Sequence, residues 1–247
     1  LGDVYKRQAR VGVVLRCGQT TASGDIDVAG YAQAVAEGLT LGEYLIGRYK
    51  TSDPKPSEPP AWTVVVPDMS DSSPESQARV AASVDKGRVL GHASNLTREL
   101  ANEPGNSLTP RTFAARAAAI AADAGVGVEI LDEQQIAALG MGLVLGVAKG
   151  SSEPPRLMVF THAPAGAPAL PTLGLVGKGV TFDTGGISIK PADGMDRMKG
   201  DMAGGAAVVC AMWALAKLGA PVRVVGVVPA WHVLYGGRAI RPGDVLT

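Results

Sequence analysis

The sequence predicts an α/β protein, an α/β/α layered domain around a central mixed sheet. Three observations carry that. From about residue 80 onward, β-branched apolar runs alternate with Ala- and Leu-rich runs of helical spacing. Turn residues punctuate the runs at close intervals. The run LGLVGKGV (173–180) is followed by a helical pattern at about 204–218 and then by VRVVGVVPA (222–230), which is the order of a strand–helix–strand crossover. Such a crossover sets strands 173–180 and 222–229 adjacent or nearly so.

Each element follows from its residues. Positions 25–48 space Val, Ala and Leu helically. The proline-rich stretch TSDPKPSEPP then breaks the chain before a short β-rich run, AWTVVV (61–66). A Ser/Asp/Pro loop at 68–75 separates this from a long helix over 74–100. ANEPGNSL (101–108) ends that helix. Thr109 caps the next one, with Pro110 at its first position, where no amide hydrogen is needed. VGVEIL (126–131) is expected as a strand, a short helix as starting at Asp132, and LVLGVA (143–148) as a further strand. RLMVFTH (156–162) is another strand. TLGLV is expected as a buried strand and AAVVCAMWALAKLG as a buried helix.

The 247 residues suffice for one or two domains. Lys plus Arg and Asp plus Glu number 23 each, so charge balance supports neither a nucleic-acid nor a membrane partner. No apolar run approaches the ~20 residues of a membrane span. The two cysteines, Cys17 and Cys210, form no ligand-like pair, and Cys210 reads as a core residue of a reduced, cytoplasmic protein. Leu1 and the closing RPGDVLT suggest a piece of a longer protein.

The charged stretch GKGVTFDTGGISIKPADGMDRMKGDMAGG (177–205) lies between the strand and the helix. That is the carboxyl end of a strand, where ligand sites collect in open α/β sheets. A phosphate loop does not fit, because Thr172 and Gly179 stand where it needs Gly and Ser or Thr. Taken alone, Lys178 reads as a solvated lysine. The three histidines, His92, His162 and His232, are too scattered for a histidine zinc site. Asp183 and Asp201 flank the glycines and suit a divalent metal, although Asp201 reads equally well as a helix cap. Asp193 and Asp196 read as turn formers, and Arg197 and Lys199 as solvated.

The ungapped pattern Gly-Lys-Gly-x-Thr-Phe-Asp-x-Gly-Gly-x-Ser-x-Lys-Pro, then Met-Asp-x-Met-Lys-x-Asp-Met-x-Gly-x-Ala, resembles the leucyl (cytosol) aminopeptidase family. NLTRELANEPGNSLTPRTFA, GMGLVLGVAKGSSEPPRLMVF and RPGDV extend the resemblance over about 80–229 and 241–245. Residues 11–66 resemble, more weakly, the tail of that family's smaller N-terminal α/β domain. The resemblance implies domains at 1–75 and 76–247 and metal-dependent removal of N-terminal residues from peptides. It implies Lys178, Asp183 and Asp201 as metal ligands, Lys190 as a catalytic lysine and Met198 as a wall for the first side chain. Lys178, Asp183, Lys190, Met198 and Asp201 together would face substrate. Two divalent ions, manganese or zinc, a cytoplasmic location and a homohexamer are expected of the full-length protein.

The chemistry fits these residue types. A lysine ligand must be neutral, against an ordinary pKa of about 10.4, so burial and nearby cations are expected around Lys178. Gly177 and Gly179 would admit close approach, and Gly185 and Gly186 a tight turn. Lys190 would stay charged and stabilise an oxyanion.

Two departures stand out. The family's Asn-Thr-Asp-Ala-Glu-Gly-Arg motif, with two further carboxylate ligands and an arginine, does not occur among the 247 residues. Where the family has Glu-Asn-Met, this chain has AWHVLYGGRAIRPGD, which makes Trp231 and His232 unexpected; His232 reads as a loop histidine without a role. The 247 residues are therefore expected to be inactive alone. The competing reading is a non-catalytic homologue that serves assembly or binding.

Overall fold

The computed structural model describes residues 10–15, 27–45, 49, 51, 61–66, 73–166 and 171–246. Cys17, the ends of the helix expected at 25–48 and most of the proline-rich loop at 51–60 lie outside them. The chain divides into two compact units, meeting at Asn95/Leu96.

In the first unit, β1 (Arg10–Val14) and β2 (Ala61–Val65) pair in parallel. Helix α1 (Val28–Gly42) starts at Asp27, whose carboxylate accepts the Gly30 amide at 3.0 Å. It packs on the first part of α2 (Pro74–Asn102), where a Cβ at Gly87 would strike the Gln33 carbonyl. Asn95 Nδ2 donates to the Thr40 carbonyl at 2.6 Å and fastens the end of α1 to the same helix.

The second unit holds a five-stranded mixed sheet in the order β3 (Gly127–Leu131), β4 (Arg156–His162), β7 (Arg223–Val233), β5 (Thr172–Val176), with β6 (Gly179–Asp183) also on β7. Strand β4 runs antiparallel to both β3 and β7; β5 and β6 run parallel to β7. Alternate residues of β7, Val224 to His232, are buried. Helix α6 (Ala203–Lys217) covers that face, since a Cβ at Gly226 would meet Met212 and Val208 at 3.1 Å. Helix α3 (Pro110–Asp123) lies beside α6, and Trp213 Nε1 donates to Asp123 at 2.8 Å. On the opposite face Val227 joins the cluster of Leu131, Ile136 and Leu157 under α4 (Glu133–Ala138) and α5 (Gly142–Ala148). Helices on both faces of a mixed sheet are the layered α/β class expected. Fully buried Phe113, Phe160, Ile136 and Met158 each contribute about 1.5–3 kcal/mol of burial.

Local signals act as expected at several points. The Thr109 hydroxyl caps α3, with Pro110 in its first turn. Asp132 and Gln135 form a reciprocal capping box, both bonds 2.9 Å. β5 and β7 are neighbours, in line with the crossover argument. No helix among the described residues is long and apolar enough to cross a membrane.

Three expectations are corrected. Residues 143–148 form α5, not a strand. A short apolar run carries no period that separates the two states. Here helical spacing sets Val144 and Leu145 onto the Leu131–Ile136–Leu157 cluster, and tertiary packing decides. The strand expected at 173–180 is two strands, β5 and β6, broken at Gly177-Lys178. The break lets the Gly205 amide donate to the Lys178 carbonyl at 2.7 Å, so the chain steps over the start of α6. TLGLV is largely exposed, with Val176 at 78%, because β5 is the edge of the sheet and not its middle.

Candidate metal centre

Two backbone junctions create the site. The first is the β5–β6 break. A Cβ at Gly177 would overlap the Gly204 carbonyl, so only glycine lets this bend press against the first turn of α6. The bend projects Lys178 next to Asp201, which ends a 3-10 turn (Met195–Gly200) just before α6. Gly177 and Gly179 thus admit protein backbone, Gly179 lying against the Pro229 carbonyl.

The second junction follows β6. Thr184 donates its amide to the Val233 carbonyl at 2.9 Å, and the Lys190 amide returns to the Thr184 carbonyl at 2.9 Å. The loop between turns through Gly185 (φ 86°) and Gly186 (φ 72°), the left-handed region expected of them. Asp183 stands at one end of this loop and Lys190 at the other.

The side chains of these elements converge. Lys178 Nζ lies 2.7 Å from Asp201 Oδ2 and 4.0 Å from Asp183 Oδ2. Lys190 Nζ lies 2.8 Å from Asp183 Oδ2 and donates to Met198 Sδ at 3.3 Å. The Gly185 amide donates to Asp183 Oδ1 at 2.8 Å. Burial opposes ionisation of Asp183, but the hydrogen bonds from Lys190 and Gly185 and the Lys190 charge outweigh it and hold the carboxyl below its ordinary range. Asp201 Oδ2 is buried and, despite its short distance to Lys178, is not in hydrogen-bond alignment with it. The contact is an ion pair.

The structure therefore brings Lys178, Asp183, Lys190, Met198 and Asp201 to one place. Asp201 is not a helix cap, as Met202 takes the N-cap position of α6 without a side-chain cap bond. Lys178 is not the buried lysine expected, being 55% exposed against 39% for Lys190, because the bend lifts it off the sheet. His232 is not in a loop. It lies in β7 opposite Phe182, buried, with Nε2 lacking a hydrogen-bond partner. Burial lowers its pKa, against a smaller opposing influence of Glu153. One support escaped the sequence reading: Gly105, in the loop after α2, packs against the ring of Phe182, the residue before Asp183. Its signal was the ANEPGNSL stretch, legible there only as a helix break.

The donor set fits a divalent cation. Two carboxylates point at one volume, and one of their oxygens, Asp201 Oδ2, is buried without a hydrogen bond. The charge balancing them comes from two ammonium groups. Oxygen donors with one amine suit manganese, magnesium or zinc. Among the described residues no three His, Cys, Asp or Glu side chains converge, so the anionic donors number two.

The fold and these side chains define a layered α/β protein with a lysine–carboxylate centre at the carboxyl end of a parallel strand. Residues 95–247 match the catalytic domain of the cytosol aminopeptidase family, peptidase M17, and the chain belongs to that family. A probable cytosol aminopeptidase of Solibacter usitatus is 48% identical over 217 residues, covering 88% of this chain and 43% of that protein. Another, of Syntrophotalea carbinolica, is 40% identical over 242 residues, covering 98% of this chain and 47% of that protein. Among solved structures, the bottromycin maturation enzyme BotP in complex with Mn superposes with a TM-score of 0.80 at 36% identity, covering 96% of this chain and 47% of that one. The chain thus spans about half the length of these relatives.

Proposed function

We propose that the protein carrying this chain is a metal-dependent aminopeptidase that releases N-terminal residues from peptides. The observation that supports it most is the closure of Lys178, Asp183, Lys190 and Asp201 within 4.0 Å contacts in a chain of this family. Lys178, Asp183 and Asp201 would hold divalent ions, two in the whole protein, manganese or zinc. Such ions supply an activated water and polarise a peptide carbonyl.

The chain's own residues do the rest. Lys178 would hold the ion through its amine nitrogen. Asp183 is held in its ionised form by the Gly185 amide and faces the metal volume with Oδ2. Lys190 stays charged, leaves Asp183 for the substrate, and donates to the oxyanion that forms on the attacked carbonyl. Met198, in contact with Lys190, borders the first side chain and adapts to its shape. A cytoplasmic homohexamer goes with this reading.

Two carboxylates are few for two divalent ions, and this favours a second statement. The 247 residues alone hold metal weakly and release little leucine. The test is leucine release from a leucyl-anilide, with manganese or zinc, by this chain and by a version extended through the family's Asn-Thr-Asp-Ala-Glu-Gly-Arg motif. The extended chain is expected to be active and the 247 residues at least about 100-fold slower. Comparable rates would overturn the ligand argument. An extended chain that is folded, metal-loaded and inactive would favour the non-catalytic reading.

A further inference from the structure

A cavity of about 740 Å³ opens beside the loop that runs from Asp183 to Lys190. Ile187 of that loop lines it, with Tyr235, Lys149, Arg238, Arg241 and Asp244. Asp244 is the one acid in the lining, and it is engaged: its Oδ1 lies 3.3 Å from Arg241 Nη2, and its Oδ2 accepts the Arg241 amide at 3.0 Å. Lys149 and Arg238 form no ion pair among the described residues, although Lys149 adds to the field at Asp244. Three cations thus face one carboxylate.

Backbone packing holds the two uncommitted cations together. A Cβ at Gly150 would overlap the Leu234 carbonyl and lie 3.2 Å from Ala239, and one at Gly236 would overlap the Gly150 carbonyl. The segment 234–239 is therefore seated on the end of α5, where Lys149 is the C-terminal cap. A lysine there also faces the negative end of the helix. Tyr235 and Ile187, 71% and 38% exposed, add apolar surface to the charged lining.

We propose that this cavity binds a carboxylate of the peptide substrate, with Arg238 as a planar two-point donor and Lys149 as a second charge. This rests on the aminopeptidase reading, in which the N-terminal residue sits at the lysine–carboxylate centre and the remaining peptide must leave past the Asp183–Lys190 loop. The carboxylate has two possible sources, the free C-terminus of a short peptide or an Asp or Glu side chain beyond the first residue. The chemistry is the same for both, and the protein would favour short or acidic peptides.

The test uses three probes on the 247-residue chain, followed by amide NMR titration: acetyl-Leu-Gly-Gly as the free acid, the same peptide as its amide, and acetyl-Leu-Gly-Glu amide. The acetyl group removes the α-amine, so binding does not depend on metal. The free acid is expected to bind up to about fivefold more tightly than the amide, the range of an exposed charge pair. That advantage should shrink between 50 and 500 mM salt and vanish in the Lys149→Met/Arg238→Met double variant. Both side chains are exposed, and unchanged thermal unfolding checks that the variant is folded. A gain by the glutamyl amide alone identifies the side chain as the source. Equal binding of all three peptides, or an advantage that survives the double substitution, overturns the proposal. If the acid preference holds but the extended chain releases no leucine, the aminopeptidase reading fails and the carboxylate site stands. If leucine is released but all three peptides bind alike, the site alone fails.

Discussion

Lys178 Nζ lies 2.7 Å from Asp201 Oδ2, joining the bend between β5 and β6 to the end of the turn before α6 without forming an aligned hydrogen bond. With Lys178 55% exposed, water screens the pair, which contributes about 0–1 kcal/mol to folding. Lys178→Met should therefore unfold within about 4 °C of the parent chain in EDTA. Its rise in Tm with millimolar manganese should be lost, because the amine donor is gone. An equal manganese response in both chains would remove Lys178 from the metal site. A large loss of stability in EDTA would make the lysine structural.

Asp201→Asn separates charge from shape at the same place. The amide keeps the volume but loses the anion. The expected result is a folded chain whose manganese affinity falls about 10-fold or more, measured by calorimetry. Unchanged affinity would show that Asp201 belongs to the ion pair and not to a metal.

Gly177→Ala tests the bend itself. The added Cβ would overlap the Gly204 carbonyl, which is backbone and cannot rotate away. Relief requires parting the bend from α6, at a cost of about 1–3 kcal/mol. Gly174, two residues into β5, has open space at its Cβ, and Gly174→Ala should change stability by less than about 0.5 kcal/mol. Urea unfolding at unchanged m-value measures both. Similar losses at the two positions would mean that the close approach at Gly177 does not matter.

The sequence made the strands, the caps at Thr109 and Asp132 and the glycine turn at 185–186 legible, because each rests on local chemistry. It also marked the residues that converge at the site, through a motif whose spacing no structural argument alone would have interpreted. What it hid depends on distant contacts. Residues 143–148 are helical because Leu131, Ile136 and Leu157 offer a surface for one side of that helix. The break at Gly177-Lys178 depends on where α6 begins. The exposure of Val176 depends on β5 ending the sheet, and Gly105 gains its role only where Phe182 meets it. Apart from Ile136 and Leu157 for α5, none of these partners is within ten residues.

Cys210 lies in α6 at 1% exposure, and burial pushes its thiol up to about 11, against a small opposing effect of a Thr97 hydrogen bond. A group so placed is almost all thiol at pH 8, with on the order of 0.1% thiolate. In a Cys17→Ser chain, iodoacetamide should leave the native protein nearly unlabelled and react readily once urea unfolds it. Rapid labelling at pH 8 with the native circular dichroism intact would show that α6 opens or that the thiol is activated.

His232 gives the fold a pH dependence whose sign follows from its place in β7. Its side chain is 7% exposed, and burial holds its pKa below the ordinary value of 6.5, with Glu153 opposing weakly. Below about pH 6.5 the unfolded chain binds a proton at this residue that the native chain refuses. Stability is therefore fully present above that pH and falls as the pH drops, by at most about 1.4 kcal/mol per unit for one proton. His232→Gln removes the titration while keeping a neutral polar side chain of similar size. Between pH 7.5 and 5.5 the parent chain should lose more unfolding free energy in urea than the variant does. The His232 ring resonances should also titrate at a lower pH than those of an exposed histidine. Equal pH slopes for parent and variant, with the His232 ring titrating near 6.5, would mean that this ring reaches water and that burial in β7 does not govern its charge.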